Sequence, residues 1–293
     1  MLSLHTNAAS LSSQTAVGRT QQALNTSLTR LGTGYRVNSS QDDAAGLQIS
    51  SRLLAQTRGM AVAQKNTQNG ISMLQTADGG LDELGNILLR MKDLATEAFT
   101  ASTTSADKVA LQSEYDALGK ELSNIIKNTS FGGKQLFSDG TTTDGTNGLF
   151  SSGLTFQIGA TSGETMVVNT STNLTALATA LSGVAGTYAT PATPGTELVS
   201  GATNAMIDTI ASTLDKVGAL RAELGASANR LDHVYNNLSN MSLNTTNARG
   251  RIMDVDYAQE ASNSTQQQLI LQAGTSSLKQ ANSLSQLVLS LLQ

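Results

Sequence analysis

Two adjacent carboxylates, Asp42 and Asp43, stand in the stretch RVNSSQDDAAGLQIS from Arg36 to Ser50. Paired acids can share general acid and base work when a dry cleft pushes their pKa values apart, or they can converge on a cation. No second converging ligand set is visible around them. A plainer role is available. With Ser39 or Ser40 as N-cap, both acids fall in the first turn of a helix, facing free backbone N–H groups and the positive end of the helix dipole. Each such contact contributes about 0.3–1 kcal/mol. The capping reading is preferred. The two histidines, His5 and His233, are distant in sequence, and zinc needs several His, Cys or carboxylate ligands. There is no cysteine, no His-Glu-x-x-His pair, no Gly-x-Ser-x-Gly elbow and no Gly-Lys-Ser/Thr phosphate loop. The sequence therefore leads us to expect no catalytic residue, no metal, no cofactor and no enzyme.

The elements around these residues are long helices. Leu74, Leu81, Leu88 and Ala95 are spaced by seven, and Ala77, Leu84, Met91 and Ala98 repeat the spacing three residues on. Together they form the a/d seam of a coiled coil. A second seam runs through Leu111, Tyr115, Leu118, Leu122 and Ile125. A third is expected through Ile207, Ile210, Leu214, Val217, Leu224, Ala228, Leu231, Tyr235 and Leu238, interrupted by Arg221. Both ends carry narrow stripes: Leu4 and Leu11, then Val17, Leu24 and Leu31, and at the far end Ala281, Leu284, Val288 and Leu291. A helix with so narrow a stripe is marginal in water without a partner, so the ends are expected to order on association. From Phe131 to about residue 201 the composition turns to Gly, Thr and Ser. There Phe156 and Ile158, then Met166 and Val168, alternate around a turn and predict a small β-hairpin.

Only 14% of the 293 residues are charged and the net charge is −4. No basic stripe with interleaved aromatics appears, which argues against nucleic acid. No apolar run reaches the length of a membrane span, and no basic, apolar leader opens the chain. The polar surface is rich in Ser, Thr, Asn and Gln, suited to packing against copies of the same chain.

The segment Arg36 to Ser50 resembles the signature of bacterial flagellin, where a spoke-like loop leads from a terminal helix into a long rod helix. LHTNAASLSSQ from Leu4, NGISMLQTADGGLDELGNILLRMKDLATEA from Asn69, NTSFGGKQLF, and the far end from ARGRIMDVDYAQEASNS onward are similar to further flagellin motifs in order. One departure is the pair Gly79-Gly80, where the family usually has one glycine and then alanine; glycine within a helix costs about 1 kcal/mol against alanine, so a local bend is expected there.

The resemblance implies a mainly α fold: a long coiled-coil-like rod, a small β-hairpin insert and paired terminal helices. It implies a terminal core domain (residues 1–43 plus 256–293), a rod domain (44–130 plus 204–255) and a small insert (131–203), without a large outer domain. It further implies a self-polymerising, secreted filament subunit with an export chaperone, the flagellar export apparatus, and junction and cap proteins as partners, and no membrane insertion. Arg90, Leu94 and Glu114 match the positions that the vertebrate innate receptor for flagellin would contact; Arg90 and Leu94 are expected one turn apart on a face away from the seam. The rival readings are a hook–filament junction protein of the same plan, or a surface-displayed adhesin or enzyme, which would need a larger middle.

Overall fold

A computed structural model of the chain describes residues 7–199 and 204–291, with backbone alone for 284–291. In chain order the elements are α1 (Ala8–Thr33), α2 (Ala44–Ala98), α3 (Ser105–Asn128), β1 (Ser130–Phe131), β2 (Lys134–Gln135), β3 (Leu154–Gln157), β4 (Thr165–Val168), α4 (Ser171–Val184), α5 (Gly186–Ala189), α6 (Ala205–Met253) and α7 (Tyr257–Leu291). They belong to two compact units. Residues 58–242 form one, and residues 1–57 with 243–293 the other.

In the 58–242 unit, one hydrophobic cluster joins the seams of α2, α3 and α6 with residues of the insert. The α2 seam is the expected one: Leu74, Ala77, Leu81, Leu84, Leu88, Met91, Ala95 and Ala98 are all at most 1% exposed. Burying each of its leucines contributes about 1.5–3 kcal/mol. Thr104 opens α3 with a capping box, its hydroxyl accepting from the Asp107 N–H while the Asp107 carboxylate accepts from the Thr104 N–H. Tyr115 and Leu122 are buried on the α3 seam, and the Tyr115 hydroxyl donates to the Val184 carbonyl at 2.8 Å. Burial foremost, then the carboxylates of Glu197 and Asp116, raises the pKa of that hydroxyl, which keeps it a donor.

The third seam differs from expectation. Ile210, Val217, Leu224, Leu231 and Leu238 are buried as anticipated, but their partners in the three-and-four pattern are Thr213, Leu220 and Ser227. Ile207, Leu214 and Ala228 flank the seam, half-buried. Arg221 consequently interrupts nothing. It lies beside the seam, and its guanidinium reaches from α6 to Asp78 (Nε to Oδ1, 2.8 Å) and Asp82 (Nη1 to Oδ1, 2.6 Å) on α2. The buried positions held by threonine and serine explain why apolar spacing alone chose the wrong companion row.

The insert contains the expected hairpin, with β3 antiparallel to β4 and Phe156 opposite Met166. A smaller hairpin, β1 with β2, turns through Gly132 and Gly133. Phe137 and Phe150 stack with centroids 6.2 Å apart and anchor the insert to the cluster. The helix α2 runs unbroken through Gly79 and Gly80. Gly80 serves a close approach: a Cβ there would meet the Thr129 side chain at 3.0 Å and the Phe137 ring at 3.4 Å.

In the other unit α1 and α7 lie antiparallel. Asn7 Nδ2 donates to the Ala281 carbonyl, Ser10 Oγ to Asn282 Oδ1, and Ser27 Oγ to Glu260 Oε1.

Candidate assembly surface

The terminal pair begins with local capping. The Asn7 side chain accepts from the Ser10 N–H at the start of α1. Gly34 closes it with φ 75°, its N–H bonding to the Arg30 carbonyl. Any side chain at Gly34 would also strike the Tyr257 hydroxyl.

The face that α1 turns toward α7 is poor in large apolar residues. At three-and-four spacing it carries Ser10, Ser13, Val17, Thr20, Leu24, Ser27 and Leu31, all buried or half-buried. The matching row of α7 is Glu260, Ser264, Gln267, Leu271, Gly274, Leu278 and Ala281. Gly274 lets the helices come close, since a Cβ there would lie 2.9 Å from Val17 Cγ2. The expected residues Val17, Leu24, Leu31 and Ala281 are thus brought to the seam between the two helices. Leu11 is not; it is 62% exposed. Leu28 on α1, and Leu269 and Ile270 on α7, are exposed as well, Leu269 also at 62%. The apolar spacing of the sequence does not single out these three, because it marks the row that pairs within the chain. Leu4 lies outside the described residues, as do the side chains of Leu284, Val288 and Leu291.

Between α1 and α2 the chain runs as an extended spoke against the α6–α7 junction. Arg36 N donates to the Met253 carbonyl at 2.6 Å, Val255 N to the Gly34 carbonyl at 3.0 Å, and Arg36 Nη2 to the Ile252 carbonyl at 3.0 Å. Val37 is buried beneath it. Here the acid pair acquires two separate tasks. Asp43, not Ser39 or Ser40, caps α2, which begins at Ala44: its Oδ1 accepts from the Gly46 N–H at 2.8 Å. Asp42 precedes the helix and ties the turn, Oδ2 accepting from the Asn38 and Ser39 N–H groups and the Ser39 hydroxyl. The Ser39 N–H above all holds the Asp42 pKa below the usual carboxylate range, aided by Asn38, the Ser39 hydroxyl and Arg30. Both serines were attractive as caps because serine is a strong N-cap residue, but Asp43 is the residue immediately before the helical backbone.

Arg30 links this turn to α7, lying 3.7 Å from Asp42 and 3.9 Å from Glu260. Glu260 is buried and takes the Ser27 hydroxyl at 2.5 Å. No group of three or more potential metal ligands occurs among the described residues. His233 is exposed on α6, and His5 lies outside the described residues.

The expected receptor residues divide. Arg90 and Glu114 are exposed and joined as an ion pair between α2 and α3, Nη2 to Oε1 at 2.7 Å. Leu94 is 0% exposed, within the core cluster. The expectation that Leu94 shares an outer face with Arg90 fails, because Leu94 falls in the buried three-and-four row of Leu84, Ile87, Met91 and Ala98.

One unit of long helices with apolar seams, and another whose helix pair buries small polar residues and displays leucines outward, point to a class: a self-associating structural subunit. The comparisons make it specific. Residues 4–142 match the profile described as the bacterial flagellin N-terminal helical region, and residues 207–292 match that of the C-terminal helical region. The chain is 31% identical to flagellin A of Vibrio anguillarum, with 100% of both chains covered. It is 38% identical to a flagellin of Halalkalibacterium halodurans, with 90% of each covered. Its fold is also that of a putative flagellar hook-associated protein from Vibrio parahaemolyticus, at a TM-score of 0.54 and 18% identity over 73% of this chain and 100% of the other. The chain belongs to the bacterial flagellin family. It is a short form without large outer domains, a structural protein that polymerises into the extracellular flagellar filament. No helix among the described residues is long and apolar enough to cross a membrane.

Proposed function

We propose that subunits are joined through the outward side chains of the terminal pair, Leu11 and Leu28 of α1 with Leu269 and Ile270 of α7, and that Leu4, Leu284, Val288 and Leu291 are assembly residues as well. Val17, Leu24, Leu31 and Ala281 serve the pairing of the two helices within one subunit. The observation that carries this reading is the 62% exposure of both Leu11 and Leu269 on helices whose mutual seam is small and polar. Burying these side chains between subunits would remove large apolar groups from water. Contacts between unlike surfaces that fail to close on themselves generate a helical polymer. The terminal helices gain most of their order from that packing, since narrow-striped helices are marginal alone.

The terminal core domain in this reading is residues 1–43 plus 256–293, the rod 44–130 plus 204–255, and the insert 131–203. Asp42 and Asp43, with Ser39, hold the turn that leads into α2; Ser40 has no side-chain hydrogen bond in it. The chain has no catalytic role and works with an export chaperone, the export apparatus, and junction and cap proteins. Recognition by the vertebrate innate receptor rests on Arg90 and Glu114, whose exposure supports it. Removing residues 281–293 tests the assembly role. The truncated protein keeps its rod folded and fails to elongate filament seeds under the electron microscope; long filaments from it would overturn the reading.

A further inference from the structure

The chain has two Asn-Gly pairs, Asn69-Gly70 and Asn147-Gly148. An asparagine before glycine is chemically labile, because no Cβ shields the glycine nitrogen from the asparagine side chain. The fold treats the two differently. Asn69-Gly70 lies within α2, where helical geometry fixes the backbone and engages its N–H groups, and Gly70 is packed under Phe156 and Leu231. Asn147 is exposed, lies in neither helix nor strand, and its side chain has no hydrogen-bond partner among the described residues. The Gly148 N–H likewise has no backbone acceptor there.

We propose that Asn147 is a site of spontaneous deamidation, a modification that accumulates with the age of the protein. The deprotonated Gly148 nitrogen attacks Asn147 Cγ and forms a new C–N bond. The side-chain nitrogen leaves as ammonia, taking up a proton, and the chain is left with a cyclic imide. Water then opens the imide at either carbonyl, giving aspartate or isoaspartate. No electron transfer is involved.

The neighbouring Asp-Gly pairs, which could cyclise in the same way, are held back. Asp139 Oδ1 accepts from the Thr141 and Thr142 N–H groups, and Asp144 Oδ1 from the Thr146 N–H. These contacts, led by the Thr141 and Thr146 hydroxyls, depress both carboxyl pKa values, and an ionised carboxylate is a poor electrophile. The modification has a structural consequence. Gly148 is buried and pressed against the backbone of Leu136, Phe137 and Ser138, with Phe150 stacked on Phe137 just beyond. Isoaspartate inserts a methylene into the main chain at the residue before Gly148 and displaces that seat.

The test is peptide mass mapping of the folded full-length protein aged in mildly alkaline buffer, beside a sample held in urea. In the folded sample Asn147 converts at least about tenfold faster than Asn69, whose helix must open first; in urea the two convert at similar rates. Aged wild type loses Tm, while aged Asn147→Ser does not. If folded Asn147 stays intact while the unfolded chain converts, or if Asn69 keeps pace with it, there is no such site. Equal loss of Tm in Asn147→Ser removes the structural consequence.

Discussion

Ser27 and Glu260, 233 positions apart, meet at 2.5 Å where α1 and α7 pair. Glu260 is buried there, and Arg30 approaches its other oxygen at 3.9 Å. A buried carboxylate is tolerated only when it is hydrogen-bonded and paired. Removing the acid leaves the Ser27 hydroxyl without its acceptor and Arg30 with Asp42 alone. We predict that Glu260→Ala weakens the terminal pair by about 1–3 kcal/mol. In polymerisation assays the critical concentration rises about tenfold for each 1.4 kcal/mol lost, and Ser27→Ala has a smaller effect. A critical concentration unchanged in Glu260→Ala would show that the contact contributes nothing to assembly.

Leu88 sits at the middle of the α2 seam with no exposed surface. Leu88→Lys places an ammonium in that core without a partner and is expected to cost at least about 3 kcal/mol. Thermal unfolding followed by circular dichroism checks this; an unaltered Tm would refute the seam.

Gly79 and Gly80 separate two effects that the sequence merges. Nothing lies within 4 Å of a Cβ on Gly79, so Gly79→Ala should stabilise α2 by about 1 kcal/mol. Gly80→Ala gains the same propensity but pushes on Thr129 and Phe137, so it should show no gain or a net loss. Urea denaturation of the two variants decides; equal stabilisation would mean that the close approach at Gly80 has no energetic weight.

The spoke should loosen in acid. The pKa of Asp42 is lowered in the folded chain, chiefly by the Ser39 N–H. Its contribution is present at neutral pH, above the unfolded carboxylate value, and is lost as pH falls through the depressed folded value. Asp42→Asn removes that contribution at neutral pH and flattens the acid limb of the stability profile. A variant whose stability falls with acid as steeply as wild type would assign the acid response to other groups, such as Asp107 or Glu164, which are also lowered by hydrogen bonds.

How much of this was legible depended on what each position had to bury. The α2 seam was readable because every one of its positions from Leu74 to Ala98 holds Leu, Met or Ala. The α6 seam was half readable, since Thr213 and Ser227 occupy buried positions that an apolar count passes over. The terminal pair inverted the usual signal, because Gly274 and Ser27 face inward while Leu11 and Leu269 face outward. Leu94 misled for a related reason. The sequence does not say that α3 and the insert widen the buried face of α2 beyond a two-residue seam. The role of Asp43 depended on where the helical backbone starts, which serine and aspartate compete to set.

Seeded elongation by the full-length double variant Leu11→Ser, Leu269→Ser tests the central claim most directly. Both residues are largely exposed in the single subunit, so its helicity and Tm should match wild type. Assembly should lose about 1–2 kcal/mol for each leucine no longer buried between subunits, raising the critical concentration at least about tenfold. Elongation at the wild-type critical concentration would contradict the account.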